Sequence, residues 1–406
     1  MNYNIWNKWD KLQTVMLGDC YSSRFFRDIK NTKVRSALER IADETQEDLE
    51  CFYHILKDFG CNIIRPKLDT NDSIMNYTDH DGNLKSIPRG PLQPRDAQVV
   101  IGNSLLYVGD DHPSITNKLD EYDKNYKNIK TPIPKKNYLD YMGDGAPDWP
   151  SYDELVNRFF NNEPLSNDIN INRELLEISA KEVQKKRHTF PVAAPSITVV
   201  GKDIYIDIPM DMPEILLNHC IKKFNTEYAD FRVNNLRHGG HSDGCFHTIK
   251  PGAILSLQEI QTYEDTFPGW DVCYLPDQSW DKVKPFVELK NEGKWWVPGE
   301  ENNPAFTHFV ETWLQDWVGY VQETVFDVNV LVLDEHHVCV SQPDNEIVNT
   351  FLKKHNMEPV YVPWRHRYFW DGGLHCITLD LKRQGTQQDY FPNRNNPIID
   401  KGFNYA

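Results

Sequence analysis

An α/β or α+β fold is what the sequence predicts, and two observations carry the prediction. A short apolar strand, a tight polar turn and a second strand recur along the chain, and amphipathic helical stretches fall between these units. The hairpin pattern reads in "VVIGNSLLYV" (99–108), "ITVVGKDIYID" (197–207), "IKPGAILSL" (249–257) and "VNVLVLDEHHVCVS" (328–341). Gly-Asn, Gly-Lys-Asp, Pro-Gly and Asp-Glu supply the turn chemistry, the first coming nearest to a two-residue hairpin loop. Their spacing is irregular, which suggests βαβ-like modules without a strict repeat.

The helices follow in order. From Ser36 to Phe59, Leu38, Ile41, Ala42, Leu49, Phe52, Tyr53 and Leu56 recur at helical spacing, and Gly60 is the stop. Pro213–Phe224 opens with a proline suited to a first turn and carries Ile215, Leu216 and Ile221. Asp344 reads as the N-cap of a helix bearing Ile347, Val348, Phe351 and Leu352, which leads into the strand "PVYVPW". Residues 66–95 and 127–152, rich in Pro, Asn, Asp and Gly, read as long surface loops. Residues 267–320 hold six of the eleven tryptophans (270, 280, 295, 296, 313, 317) and read either as an aromatic-anchored insertion over the core or as a lid or partner surface.

Composition narrows the function. The net charge of -16 excludes a broad basic surface for nucleic acid or an anionic membrane, and it suits a small cationic substrate. No apolar run is long enough to span a bilayer. The opening "MNYNIWNKWDKLQTVMLGD" shows no signal or transit pattern. The eight cysteines are scattered with no CxxC pair, so reduced thiols and a cytoplasmic location are expected. A length of 406 residues permits two or three domains and equally one large one.

Three segments place reactive side chains at the edges of predicted strands. They are "QPRDAQVVIGN" with Arg95 and Asp96, "RHGGHSDGCFH" with His238, His241 and Asp243, and "GGLHCIT" with Cys376. Singly, each has an ordinary explanation: a buried thiol, a satisfied histidine, an aspartate capping a turn. Together, a thiol, an imidazole and two carboxylates make a catalytic toolkit. His238-x2-His241-x-Asp243, "DDH" (110–112) and "DEHH" (334–337) also offer metal-ligating types, but none has the spacing of a standard helical zinc motif.

These segments resemble the glycine amidinotransferase family of the guanidine-modifying superfamily. The resemblance runs through "YNIWNKWDKLQTVMLG" (3–18), "IIRP" (63–66), "PRDAQVVIGN" (94–103), "VGKDIY" (200–205), "HSDGCFHTIKPGAILS" (241–256), "NVLVLDE" (329–335) and "GGLHCITLDLKRQGTQQDY" (372–390). It implies an α/β propeller of five modules with pseudo-fivefold symmetry, formed as one domain over 1–406 with the Trp-rich insertion at about 267–320. It implies Cys376 as nucleophile, His241 as general acid/base, and Asp96 and Asp243 as the carboxylates that grip a guanidinium group. It implies no cofactor and no metal. The partners it implies are a guanidino donor and an amine acceptor, with neither nucleic acid nor membrane, and a homodimer is allowed. The glycines before Cys376 are expected to give the thiol an exposed, close-approach position.

The residue types suit amidino transfer. Paired carboxylates hold a planar guanidinium by charge-assisted hydrogen bonds, its carbon needs a thiolate to attack it, and an imidazole can protonate the departing amine. Three positions depart from the family. Ala193 stands where the family's histidine-orienting aspartate belongs, leaving Ser196, Asp203 or Asp207 as substitutes, and no arginine occurs in "LQEIQTYED" (257–265) to hold a substrate carboxylate. A family serine falls near Gln322. The same residues would serve a deiminase-type hydrolase, and the missing aspartate leaves room for a non-catalytic binding protein.

Overall fold

The computed structural model describes residues 3–107, 112–126, 135–137, 193–207, 224–225, 228–236, 241–257, 263–275, 296–314, 317–318 and 327–395. Within them, fifteen strands form five three-stranded sheets on one plan, an antiparallel hairpin whose second strand pairs in parallel with a third. Module two is β3 (Gln98–Ile101), β4 (Ser104–Tyr107) and β5 (Lys135–Asn137); module three is β6 (Ile197–Val200), β7 (Asp203–Asp207) and β8 (Arg232–Leu236). Module four is β9 (Phe246–Lys250), β10 (Ala253–Leu257) and β11 (Asp271–Leu275); module five is β12 (Leu331–Val332), β13 (His337–Val340) and β14 (Glu358–Tyr361). Module one joins distant parts of the chain. β1 (Leu12–Leu17) pairs in parallel with β2 (Asn62–Ile64) and antiparallel with β15 (Thr378–Arg383).

The four predicted hairpins are all present, because each turn is fixed locally. Gly102, Gly201 and Gly252 sit at the turns with φ of 56°, 61° and 83°, a region that a β-carbon disfavours. Strands β3, β6 and β12 are buried along their whole length, and β9 and β15 at all but one position, whereas the third strands β2 and β14 are largely open to solvent. Near-continuous apolar runs on the first strands record enclosure on both faces.

Helix α1 (Thr32–Asp58) crosses between β1 and β2, α2 (Pro113–Tyr126) lies between β4 and β5, and α5 (Glu346–Lys354) between β13 and β14. On α1, Leu49, Phe52 and Leu56 are fully buried, each contributing about 1.5–3 kcal/mol. Its first turn begins four residues before the predicted Ser36. Asn31 accepts hydrogen bonds from the Lys33 and Val34 amides, and the buried stripe starts at Val34. The cap of α5 is Asn345, which accepts from Val348 N at 3.1 Å, and not Asp344. Strand β5 lies inside the predicted loop 127–152, and the predicted surface loop 66–95 runs into the core at Ile87 and Leu92. Pro213–Phe224 lies outside the described residues except for Phe224. Within 267–320 the described residues include β11 and a helix, α4 (Pro304–Trp313), whose buried Phe306 and Val310 join the same apolar cluster as α1. Short helices α3 (Ser242–Cys245) and α6 (Arg367–Trp370) precede β9 and β15.

A buried ion network fastens β15. Arg383, 1% exposed, donates to Asp380 at 2.8 Å and to the carbonyls of Asp10 and Val332, while Arg95 Nη2 lies 3.3 Å from the other Asp380 oxygen. Burial works to raise the Asp380 pKa, but Arg383 and Arg95 overcome it and hold the carboxyl below its ordinary range. Arg383→Met leaves that carboxylate with less compensation and two carbonyls without donors, so a loss of roughly 3–5 kcal/mol is expected in urea denaturation. Because the folded pKa is depressed, the deficit is full above about pH 4 and shrinks as pH falls through the folded value. An equal deficit at every pH would contradict this.

Candidate active site

The turn 372–377 carries Cys376 directly into β15. Glycine is required before it for close approach. A β-carbon on Gly373 would lie 2.6 Å from the Asn329 side chain, and one on Gly372 would lie 2.4 Å from Gln93 Nε2. The expectation of an exposed thiol is corrected here, since Cys376 is only 7% exposed. The glycines admit Asn329, not solvent.

Asn329, just before β12, uses its whole amide. Its Oδ1 accepts from the backbone N–H groups of His375 (2.9 Å) and Cys376 (3.1 Å), and its Nδ2 faces Cys376 Sγ (3.0 Å) and the Asp243 carbonyl (3.0 Å). Asp243, on α3, is 1% exposed. Its Oδ2 accepts from His375 Nδ1 at 2.7 Å and lies 3.7 Å from Cys376 Sγ, while its Oδ1 is buried with no hydrogen-bond partner among the described residues. Ser242 ties α3 to module three through the Pro195 carbonyl (2.8 Å).

Asp96 stands on the turn before β3, with a side chain 35% exposed. The adjacent Arg95 turns inward and donates to the carbonyls of His375 and Thr378, both at 3.0 Å. Gln93 grips the same turn through the carbonyls of Trp370 and Asp371, both at 2.8 Å. Arg89 Nη1 is 3.5 Å from Asp96 Oδ2, and Arg89 Nη2 donates to the Trp370 carbonyl at 3.0 Å. His241, at the start of α3, is exposed and close enough that its charge acts on Asp96. No hydrogen bond to its imidazole occurs among the described residues. The four side chains singled out in the sequence thus come from three stretches that meet at one place. Asp243 and Asp96 both act on the Cys376 thiol, and His241 and Asp243 both act on Asp96.

The electrostatics follow from this crowding. Burial, then Asp243 and Asp96, push the Cys376 thiol well above its ordinary pKa, against weaker help from Gly373 N–H contacts and Asn329. Partial desolvation also raises Asp96, although a good part of its side chain meets solvent; Arg89 and His241 pull it back and Asp243 pushes it up again. Burial drives His375 well below the ordinary histidine range, aided by Arg95, Lys8 and His247, so its neutral ring donates an Nδ1–H hydrogen bond to Asp243. Behind it, Lys8 is pushed down to about 7 by burial and Arg95.

The proposed stand-ins for the missing aspartate fare unequally. Ala193 precedes a 3₁₀ turn at Ala194–Ser196. Asp203 is committed to ion pairs with Arg232 and with Arg394 (2.8 Å), which excludes it. Ser196 and Asp207 are buried. Among the described residues no group of three metal-ligating side chains converges. His238, Asp110 and Asp111 lie outside them, and Asp334 instead caps the turn at His336 and His337. Sequence reasoning missed Asn329, His375 and Arg89, although "NVLVLDE", "GGLHC" and "PRGPLQPRD" contain them.

No family model matches the chain. It is 22% identical over 407 residues to the L-arginine:L-lysine amidinotransferase of Pseudomonas savastanoi pv. phaseolicola, with 95% of each chain covered. It is 24% identical over 410 residues to the mitochondrial glycine amidinotransferase of Gallus gallus, covering 95% of this chain and 84% of that one. Among solved structures, SxtG, an amidinotransferase from Microseira wollei in a saxitoxin biosynthetic pathway, superposes with a TM-score of 0.58 at 19% identity, covering 96% of this chain and all of that one. The inosamine-phosphate amidinotransferase StrB1 from Streptomyces griseus superposes with a TM-score of 0.55 at 16% identity, covering 96% and 99%. The chain shares the fold of these two amidinotransferase structures. The five repeated sheet modules account for that likeness.

Two charges facing one thiol have a direct consequence. Alkylation of Cys376 by iodoacetamide in the ligand-free protein is expected to rise only above the pH range of ordinary cysteines. Asp243→Asn removes the larger of the two repulsions and should move that profile to lower pH, as followed by peptide mass spectrometry. A profile unchanged by the substitution would refute the assignment.

Proposed function

We propose that the protein is an amidinotransferase of the glycine amidinotransferase type, which moves the amidino group of arginine or a related guanidino compound to an amine through an amidino-cysteine at Cys376. The observation that carries this reading is the state of Asp243. One oxygen is held by His375, the other is buried with no hydrogen-bond partner among the described residues, and the thiol lies beside them. A buried carboxylate oxygen without a donor is costly, and a guanidinium N–H is the donor that fits.

The steps follow from the residues. Asp243 and Asp96 take the guanidinium between them, and its positive charge offsets the two charges that keep the thiol neutral. Cys376 then loses its proton to His241, and the thiolate attacks the central carbon. As the carbon–nitrogen bond breaks, His241 returns the proton to the leaving amine, so that arginine would leave ornithine behind. The amidino group remains on sulfur as a cation held by the same carboxylates. An incoming neutral amine adds to it, gives a proton to His241, and expels Cys376. Asn329 keeps the sulfur in place throughout with its Nδ2.

Incubation with arginine and a primary amine is expected to yield ornithine and a guanidino product, with one amidino group added to Cys376 in the trapped enzyme. Cys376→Ser abolishes the adduct, and His241→Ala lowers turnover by roughly 10²–10⁴-fold. Citrulline and ammonia as the only products would replace transfer with hydrolysis. An unmodified Cys376 under all conditions would leave a binding protein.

A further inference from the structure

The loop 87–93 is a fixed platform at the solvent side of the site. The Ile87 carbonyl accepts from Trp317 Nε1 at 2.9 Å, the Pro88 carbonyl from the Tyr21 hydroxyl at 3.3 Å, and the Pro91 carbonyl from the Asp19 amide at 3.0 Å. Gly18 lies so close to Leu92 that a β-carbon there would sit 1.9 Å from the Leu92 carbonyl oxygen. Held on both sides in this way, the loop presents Arg89 in one place, beside Asp96.

Arg89 is incompletely used by the protein. Among the described residues each terminal nitrogen makes one contact, Nη2 to the Trp370 carbonyl and Nη1 to Asp96, so each keeps a second N–H. The Asp96 contact, at 3.5 Å, is an ion pair longer than a good hydrogen bond. Its side chain is 28% exposed, against 7% for Cys376 and 1% for Asp243, so Arg89 belongs to the open edge of the site. When an amidino group occupies Asp96, Arg89 shares that carboxylate with a second cation. An anion arriving from solvent restores its balance and engages the remaining N–H on each terminal nitrogen, while the buried Nε–H also has no partner among the described residues.

We propose that Arg89 is a specificity-determining residue that binds an anionic group on the acceptor, selecting amines that carry a carboxylate or phosphonate close to the reacting nitrogen. The inference rests on the transfer reaction proposed above. Closeness follows from geometry: Asp96 touches both the amidino group and Arg89, so the acceptor must span only one carboxylate's width. A long ω-amine places its anion beyond this reach.

The test compares glycine and aminomethylphosphonate with propylamine as acceptors, using kcat/KM ratios so that intrinsic amine reactivity cancels between variants. In Arg89→Gln the preference for each anionic acceptor over propylamine is expected to fall at least about tenfold, and Arg89→Lys should retain part of it. An unchanged ratio overturns the assignment, as does a gain in donor kcat/KM in Arg89→Gln, which would make Arg89 a competing internal cation. Formation of the Cys376 adduct in the native protein separates the two levels. If the adduct forms and the ratio holds, only the role of Arg89 falls; if no adduct forms with any guanidino donor, both readings fall.

Discussion

One buried carboxylate organises the site. Asp243 is enclosed on every side, and its neighbours are arranged around that fact: a neutral imidazole donates to one oxygen, an asparagine amide holds its carbonyl, and a serine anchors its helix. Behind it lie Lys8, whose pKa burial and Arg95 lower to about 7, and Arg95 and Arg383, which with Lys8 help to keep the His375 ring neutral. The thiol is raised by burial and by the negative charges of Asp243 and Asp96. Enclosure and these two carboxylates together favour the protonated sulfur in the ligand-free protein.

Much of this was legible in the sequence and some was not, for identifiable reasons. The hairpins could be read because a glycine turn between apolar runs is a local signal, as at Gly102 and Gly252. The cap Asn31 was missed because the apolar count began at Leu38, although Val34 already faces the core. Asp96, Asp243, His241 and Cys376 stood out as reactive types at the edges of predicted strands, with roles implied by a family resemblance, and their stretches lie close together in the structure. Asn329 could not be found that way. Its hydrogen bonds reach Cys376 across 47 positions, and nothing near it in sequence marks it as more than a strand residue. The missing orienting aspartate has no replacement at Asp203, whose charge is spent on two arginines.

The Trp-rich stretch acquires a physical task from one contact. Trp317 stacks on Trp370 at 5.7 Å and on Tyr21 at 5.5 Å, and its indole N–H holds the Ile87 carbonyl. It therefore joins the loop bearing Arg89 to the short helix preceding Cys376. Aromatic packing of this kind fixes the relative positions of two site walls without placing a polar group between them.

The pairing of β15 with β1 has a consequence for biosynthesis. A nascent polypeptide emerging from the ribosome displays residues 12–17 early, yet their antiparallel partner, with the sulfur just ahead of it, follows more than 360 positions later. Until then the first sheet has an open edge and the carboxylates face no thiol. The site is thus incomplete until translation has passed residue 383.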